Sequence, residues 1–425
     1  MSSRPAQLVL LAGIAVGVAA VFGGFIAVTR WLGEPQELGA LTLVQFAVAL
    51  LALVTLLAVA GMSLVWLERK ELGRMQGRPG PTRVGPFGLL QPVADAGKLL
   101  FKEDVAPGEA SKLIFFASPL LIMVPGLMVW LTVPLGPTLV VRSLDLGIFF
   151  FVSISVLSIV GLVLAGWSSH SKYAVLGGIR AAAQMVSYEI PLIMAVLGVV
   201  VLAGSMRFDD VVALQDSAPY IALLPAAFAV FLVAGLAEVG RTPFDIYFAE
   251  SELVGGPFVE YSGAHWAVML LAEYLNTFLV GALAALLFLG GWRWPFGDLP
   301  FGAAVALMLA KTYLVVAVIF WGRATYPRLR LDQLMGLGWK VLLPLSFASI
   351  LATAVQRFYG WPAWTLTLLS LALLAVPIAL QVRGQGRPAS AYAERMRAGA
   401  VAVPAAPRPE RSAFEQPPEG GEDGA

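Results

Sequence analysis

Stretches of about twenty apolar residues return along this chain at short intervals, and about twenty is the length an α-helix needs to cross the hydrocarbon core of a membrane. They lie near Leu8 to Thr29, Leu41 to Leu67, Leu113 to Val133, Leu146 to Gly166 and Val186 to Gly204. Others lie near Pro219 to Leu236, Trp266 to Leu289, Phe301 to Trp321, Val341 to Val355 and Trp364 to Val382. In lipid, every backbone N–H and C=O has to be satisfied within the protein, which leaves only helices and closed barrels. The runs show no period-two alternation, so they predict helices rather than barrel strands. The fold class expected is all-α, a polytopic transmembrane helical bundle of about ten spans. Composition agrees: 59% of residues are apolar and 13% charged, a balance foreign to soluble domains. A removable signal peptide does not account for so many runs.

The formal net charge is +1, which leaves no electrostatic footprint for nucleic acid. The placement of charge is more telling. Lys and Arg counted over alternate loops fall fifteen on one side and five on the other. Because cations are retained in the cytoplasm, the long polar loops and both termini are expected there. Cysteine is absent, and His170 and His265 are the only histidines. Iron–sulfur clusters need thiolates and haem needs an axial ligand, so the chain is expected to bind no cofactor or metal and to receive electrons from a partner. After Val382 the sequence turns to Pro, Gly, Ala, Glu and Arg, and 383–425 is expected to be a disordered cytoplasmic tail.

Three polar groups interrupt the apolar pattern. In the first, Glu68, Arg69, Lys70, Arg74 and Arg78 run into Pro79, Gly80, Pro81, Arg83, Gly85, Pro86 and Phe87. Prolines and glycines at this density predict an irregular stretch that fixes the basic residues at the membrane face. Phe87 to Phe101 follows, with leucines and valines set among Gln91, Asp95 and Lys98, the pattern of an amphipathic helix lying in the interface. Two readings are open: a basic loop gripping anionic headgroups, or a doorway admitting a lipid-soluble molecule. The interleaved Glu68, Asp95, Glu103 and Asp104 favour the doorway, since a headgroup anchor has no use for carboxylates.

The second group follows Glu238 and comprises Arg241, Asp245, Glu250, Glu252 and Glu260. Carboxylates crowded in one loop repel one another and hold protons more tightly, so such groups can pass protons. The alternative is a solvated acidic loop; Pro243, Phe244, Phe248, Pro257 and Phe258 favour one folded back on the bundle. The third group lies inside the spans: Glu189, Glu238, Glu273 and Lys311. A charge at bilayer depth costs on the order of 2.5–3.5 kcal/mol, so these residues are expected to face a water path or a protein interior. Lys311 has a structural alternative, by snorkelling or by pairing with a glutamate. Pro191 is expected to open the backbone beside Glu189, and the two histidines to hydrogen-bond locally.

The strings Glu68-Arg-Lys, Arg78-Pro-Gly-Pro-Thr-Arg-Val-Gly-Pro-Phe-Gly-Leu-Leu-Gln-Pro92 and Lys98-Leu-Leu-Phe-Lys-Glu-Asp104 closely resemble the H subunit of bacterial NADH-quinone oxidoreductase, respiratory complex I. Gly166 to Tyr173, Arg180 to Glu189, Arg241 to Asp245, Ala249 to Val254 and Arg323 to Pro327 agree with it. The resemblance implies an eight-helix core over 41–357, with extra spans in 1–40, where a periplasmic loop follows, and in 358–382. It implies a quinone chamber where the membrane arm meets the peripheral arm. Glu68, Arg69, Arg74, Arg78, Arg83, Phe87, Asp95 and Lys98 would line its interior or entrance. Glu189, Glu238, Arg241, Asp245, Glu250, Glu252, Glu260 and Glu273 would couple quinone chemistry to proton movement. Quinone would be the substrate. Iron–sulfur clusters, FMN and NADH would sit on partners, among them peripheral-arm quinone-module subunits and adjacent small membrane subunits in a bacterial inner membrane. One departure stands out: where the family reads Leu-Pro-Glu after Asp245, this chain reads Ile246-Tyr247-Phe248. The remaining readings are a membrane anchor of an energy-converting hydrogenase-type complex and a stand-alone ion transporter. The complete Arg78 to Pro92 segment disfavours the first, and the absence of two matching halves disfavours the second.

Overall fold

The computed structural model describes residues 40–248 and 250–385, with scattered positions between 12 and 27, and it is helical throughout its regular parts. The chain divides into a unit ending at Leu374 and another beginning at Ala375, of which only the close of one helix is described. Residues 383–385 of the predicted tail are helical and close the last helix, which corrects the expected start of the tail; the rest of the tail and most of the first predicted span lie outside the described residues, and the few described positions of that span are helical. The long helices are α1 (Ala40–Met75), α3 (Lys112–Val129), α4 (Gly147–Ser168), α5 (Lys172–Ala203), α7 (Gly263–Leu287), α8 (Phe301–Thr325) and α9 (Leu331–Tyr359). Each of these seven carries a segment long and apolar enough to cross a membrane. The interfacial helix α2 (Gln91–Phe101), α6 (Pro225–Val239) and α10 (Ala363–Gln385) complete the set. All nine predicted spans that fall on described residues are therefore helices.

Their bounds differ from the hydropathy runs for local reasons. α6 begins late because Leu224 precedes Pro225, and a residue before proline is driven out of the helical region; its φ/ψ are −124° and 55°. It stops at Gly240, whose φ of 70° suits a left-handed cap. α5 starts well before the predicted Val186, since the alanine-rich stretch around Arg180 keeps the helix going outside the apolar run. α1 likewise continues to Met75, which corrects the expectation of an irregular stretch from Glu68 onward. Glu68, Arg69, Lys70 and Arg74 ride on its last turns because proline does not intervene before Pro79. α5 also runs uninterrupted through Pro191, so the expected opening of the backbone is not seen.

α7 is the hub. It packs against α1, α3, α6 and α8, and 78% of its most apolar window is buried, against 28–56% for the other long helices. α5 packs on α4, α6 and α9. Close approach relies on small residues: a Cβ on Gly161 of α4 would stand 2.9 Å from the Ile122 backbone nitrogen of α3. α9 contains one π-helical turn, Gly338–Leu342, and side chains of α5 grip it there. The Tyr188 hydroxyl donates to the Leu334 carbonyl at 2.8 Å, and Trp339 Nε1–H donates to Ser187 Oγ at 3.2 Å. Gln184 ties α5 to the end of α6, donating to the carbonyls of Ala237 and Phe244, both at 2.7 Å.

Candidate functional site

α1, α8, the close of α6 and the first half of α7 bring their ionisable residues to one place. Glu68 is 3% exposed and Arg241 6% exposed, so both charges are effectively out of water. Arg241 Nη1 lies 3.7 Å from Glu68 Oε1, and its Nε lies 3.2 Å from Glu273 Oε1. Arg323 of α8 donates to the same Glu68 oxygen. The Arg241 guanidinium also sits 4.5 Å from the centre of the Tyr274 ring, a cation–π contact. Two guanidinium and two carboxylate groups thus balance their charges, the condition under which buried ions are tolerated. The balance is charge by charge rather than bond by bond, because Arg241 Nη2 and Glu68 Oε2 have no hydrogen-bond partner among the described residues.

This network opens on a polar cavity of about 300 Å³ lined by Arg241, Asp245, Glu273, Arg323 and Arg328 together with Phe248, Phe258, Trp266 and Leu270. Asp245 pairs with Arg328 Nη2 at 3.1 Å. Charged groups and aromatic rings together in one lining suit a flat molecule with a polar head. Behind the turn that follows α6 lies a smaller internal cavity, lined by Glu238, Ser155, Ser158 and Asn276 among apolar neighbours. Ser155 Oγ also lies 3.5 Å from Glu189 Oε1, which brings the two glutamates to the same serine-lined space.

A third cavity, about 640 Å³ and largely apolar, lies between the end of α1 and the proline-rich turn. Trp66, Lys70, Glu71, Arg74, Arg78 and Phe87 are among its lining. Phe87 has a φ of 52°, unusual for a bulky side chain, and its carbonyl accepts from Trp66 Nε1–H at 3.2 Å. Beyond this turn Arg69 Nη1 donates to Asp95 Oδ2 at 2.6 Å, which fastens α2 to α1, and Gln91 Nε2 donates to Asp95 Oδ1 at 3.1 Å within α2. Partial burial alone would raise the Asp95 pKa; hydrogen bonds from Arg69 and Gln91, then the Arg69 and Lys98 charges, outweigh it and hold the carboxyl below its ordinary value. Val93, Leu100 and Phe101 of α2 are exposed, as the expected interfacial helix requires.

The sixteen residues anticipated from sequence therefore separate. Glu68, Arg241, Asp245 and Glu273 join the polar cavity or its buried network, and Glu189 and Glu238 the internal one. Arg74, Arg78 and Phe87 line the apolar cavity, while Arg69 and Asp95 form the tie beside it. Arg83 and Lys98 are exposed, and Glu260 is half-buried in the loop that returns to α7. Mutual repulsion among the loop carboxylates is not the arrangement seen: Glu252 pairs with Arg180 of α5 at 2.9 Å and Asp245 with Arg328, so cations from other elements intervene. The Glu250 side chain lies outside the described residues. The loop does fold back, since Tyr247, Phe258 and Tyr261 are buried with residues of α3, α4, α5 and α7.

Lys311 is structural. Its Nζ donates to the carbonyls of Leu289, Gly291 and Trp294 at 2.6–2.7 Å, so backbone oxygens hold it, in place of the expected functional role and of the snorkelling or glutamate pairing that was its alternative. The histidines act locally, His170 beside Glu109 at 3.5 Å and His265 against Asp104. Sequence reasoning passed over Arg323, Arg328, Ser155 and Asn276. A polar Asn276 inside an apolar run, and cations just where α8 ends, were the available signals.

A family model described as NADH dehydrogenase matches residues 47–354. The chain is 45% identical over 313 residues to the NADH-quinone oxidoreductase H subunit of Dehalococcoides mccartyi strain CBDB1, covering 74% of this chain and 87% of that one. It is 50% identical over 291 residues to the protein of the same name from Geobacillus kaustophilus strain HTA426, covering 68% and 87%. With the Bacillus thuringiensis subsp. konkukian strain 97-27 protein, also so named, it shares 46% identity over 310 residues, covering 72% and 93%.

Proposed function

The chain belongs to the NADH dehydrogenase family that includes the H subunits of NADH-quinone oxidoreductase, and on that premise we propose that it is the quinone-site membrane subunit of a proton-translocating complex of this kind. It supplies no redox centre; electrons reach the quinone from iron–sulfur clusters, FMN and NADH carried by partner subunits. The observation that carries the reading is the buried network of Glu68, Arg241, Glu273 and Arg323 opening on an aromatic-walled cavity. A quinone is flat and apolar in its ring and tail, and its two oxygens gain negative charge and protons on reduction. Rings such as Phe248 and Trp266 suit the first property and guanidinium groups the second.

The apolar cavity at Arg74, Arg78 and Phe87 serves as the entrance from the bilayer, with α2 lying in the interface beside it and Glu68, Arg69, Arg83, Asp95 and Lys98 completing its surroundings. Charge created at the quinone is felt by Arg241, Asp245 and Glu273. It passes to Glu238 and Glu189 as proton movement, with Glu250, Glu252 and Glu260 acting from the loop. The core is 41–357, multi-pass in a bacterial plasma membrane with both termini and the polar loops in the cytoplasm. Peripheral-arm quinone-module subunits would close the chamber, and small membrane subunits would continue the proton track.

A photoreactive quinone analogue applied to the intact complex tests this. Labelling is expected on the Gly240 to Phe248 loop and on the Trp66 to Gly80 segment, and excess quinone should suppress it. Labelling confined to other subunits or to lipid-facing helices would overturn the assignment.

A further inference from the structure

Ile246-Tyr247-Phe248, the stretch that departs from the family pattern, sends its two aromatic side chains in different directions. Tyr247 turns inward: it is 2% exposed, its hydroxyl donates to the Val239 carbonyl at 3.4 Å, and it stands over Gly240. Phe248 instead lines the polar cavity. Its ring is held between two others, Phe258 at 4.8 Å between centres in an edge-to-face contact and Tyr247 at 5.0 Å. Phe248 and Trp266 are both partly buried against the one cluster that contains Phe258, Tyr247 and Met269. The rings of the lining are therefore anchored by common packing.

With phenylalanine at 248 the charges around the cavity cancel. Arg241, Arg323 and Arg328 stand against Glu68, Asp245 and Glu273, and every one of those carboxylates is paired. A glutamate at 248, as the family pattern has, would add a carboxylate for which this network holds no spare cation, and it would repel the negative charge a quinone gains on reduction. A ring at 248 instead offers a π surface to a second ring.

The cavity, about 300 Å³, is at the small end of ligand sites, with room for a ring system and little of a tail. A fused bicyclic quinone carries its oxygens on one ring and presents the other as hydrocarbon, which matches a lining of arginines and packed aromatic rings. A benzoquinone bearing methoxy groups places extra acceptors where the bicyclic molecule has hydrocarbon. Against phenylalanine rings those acceptors lose water and gain no donor.

We propose that Phe248 is a specificity-determining residue, through which this cavity selects a bicyclic quinone of the naphthoquinone class over a monocyclic benzoquinone. The proposal rests on the reading that the cavity belongs to the quinone site.

The test uses the intact complex in membrane vesicles with two short-tailed substrates, a dimethylnaphthoquinone and a decyl dimethoxybenzoquinone, and reads the ratio of their kcat/KM values. Assembly of each variant is checked by NADH oxidation with a water-soluble artificial acceptor. The two quinones differ in intrinsic reactivity, so the change in the ratio from wild type to variant carries the result. Phe248→Leu keeps an apolar side chain but removes the ring. It is expected to lower the ratio roughly fivefold, through a higher KM for the naphthoquinone rather than a lower kcat, because stacking is felt equally before and during reaction. Phe248→Tyr retains the ring and is expected to retain the preference. An unchanged ratio in F248L, or an equal loss with both quinones, would overturn the role, since lost packing alone slows both alike. A second measurement needs no variant and decides the matter if F248L does not assemble. In the wild-type complex the naphthoquinone should suppress photolabelling of the Gly240 to Phe248 loop at a membrane concentration roughly fivefold below that of the benzoquinone. If the loop is labelled and the two quinones compete equally, the selectivity alone fails. If the loop is not labelled, the cavity is no quinone site, and the proposal falls with the reading beneath it.

Discussion

Arg241 and Lys311 are both cations that the apolar pattern disfavours, and they are held by opposite means. The three donors of Lys311 all go to backbone carbonyls where the chain leaves α7, and the Trp294 ring lies 5.7 Å away. Those carbonyls belong to the turns that follow α7, outside the helix itself. They cannot take up protons, so the lysine acts as a fixed clasp. Arg241 is shared between Glu68 and Glu273, each of which can change charge, and it borders a cavity. A buried charge inside a membrane bundle is therefore no functional signal by itself; the signal is whether its partners can titrate and whether a ligand can reach it.

The largest effect should come from Arg241→Met. It leaves Glu68 with Arg323 alone and Glu273 with no guanidinium, a loss of about 3–5 kcal/mol for a broken buried network. Quinone-linked turnover of whatever complex assembles should be abolished, as read by NADH:quinone reductase activity. Lys311→Met should cost roughly 2–3 kcal/mol by stranding carbonyls. That loss would appear as a lower melting temperature of the purified complex, while turnover per assembled complex stays at the wild-type value. A turnover loss in K311M without a melting shift would erase the contrast between the two cations.

Next comes the double change Glu250→Gln with Glu252→Gln. Proton pumping in vesicles should drop, by less than for Arg241→Met, and the melting temperature should barely move because Glu252 lies at the surface. Unchanged pumping would remove both residues from the track. The smallest effect belongs to Asp95→Asn, which loosens a partly exposed pair worth about 0.2–1 kcal/mol. The Asp95 pKa is lowered in the folded protein, so the tie's stabilisation is fully present above the unfolded value, about 3.9. It is lost as pH falls below that value through the lower folded one. Protection of α2 from protease should accordingly be flat from neutral pH down to about pH 4 in wild type, and reduced throughout in D95N.

Most of the helices were legible in the linear pattern, because lipid leaves the backbone one economical way to satisfy itself and the apolar runs mark where it does so. Helix ends were less so. α1 and α5 outrun their apolar stretches because hydropathy measures transfer to lipid, whereas helix formation asks only for suitable residues and an absence of proline. The loop carboxylates misled for a related reason: spacing along the chain gives no view of Arg180 and Arg328, which arrive from elements far away in sequence.

Sequence alone determined that this chain is a helical membrane bundle, which family it resembles, and which residues were candidates for its chemistry, since each depends on residue type and order. Only the tertiary structure decided which charges meet. It placed Glu68 between two arginines from distant parts of the chain, gave Lys311 to carbonyls, sent Glu252 to the surface and seated the Tyr247 hydroxyl over Gly240. An ion's state in a membrane is set by what stands within a few ångströms of it, and helix packing brings those neighbours together from hundreds of residues apart.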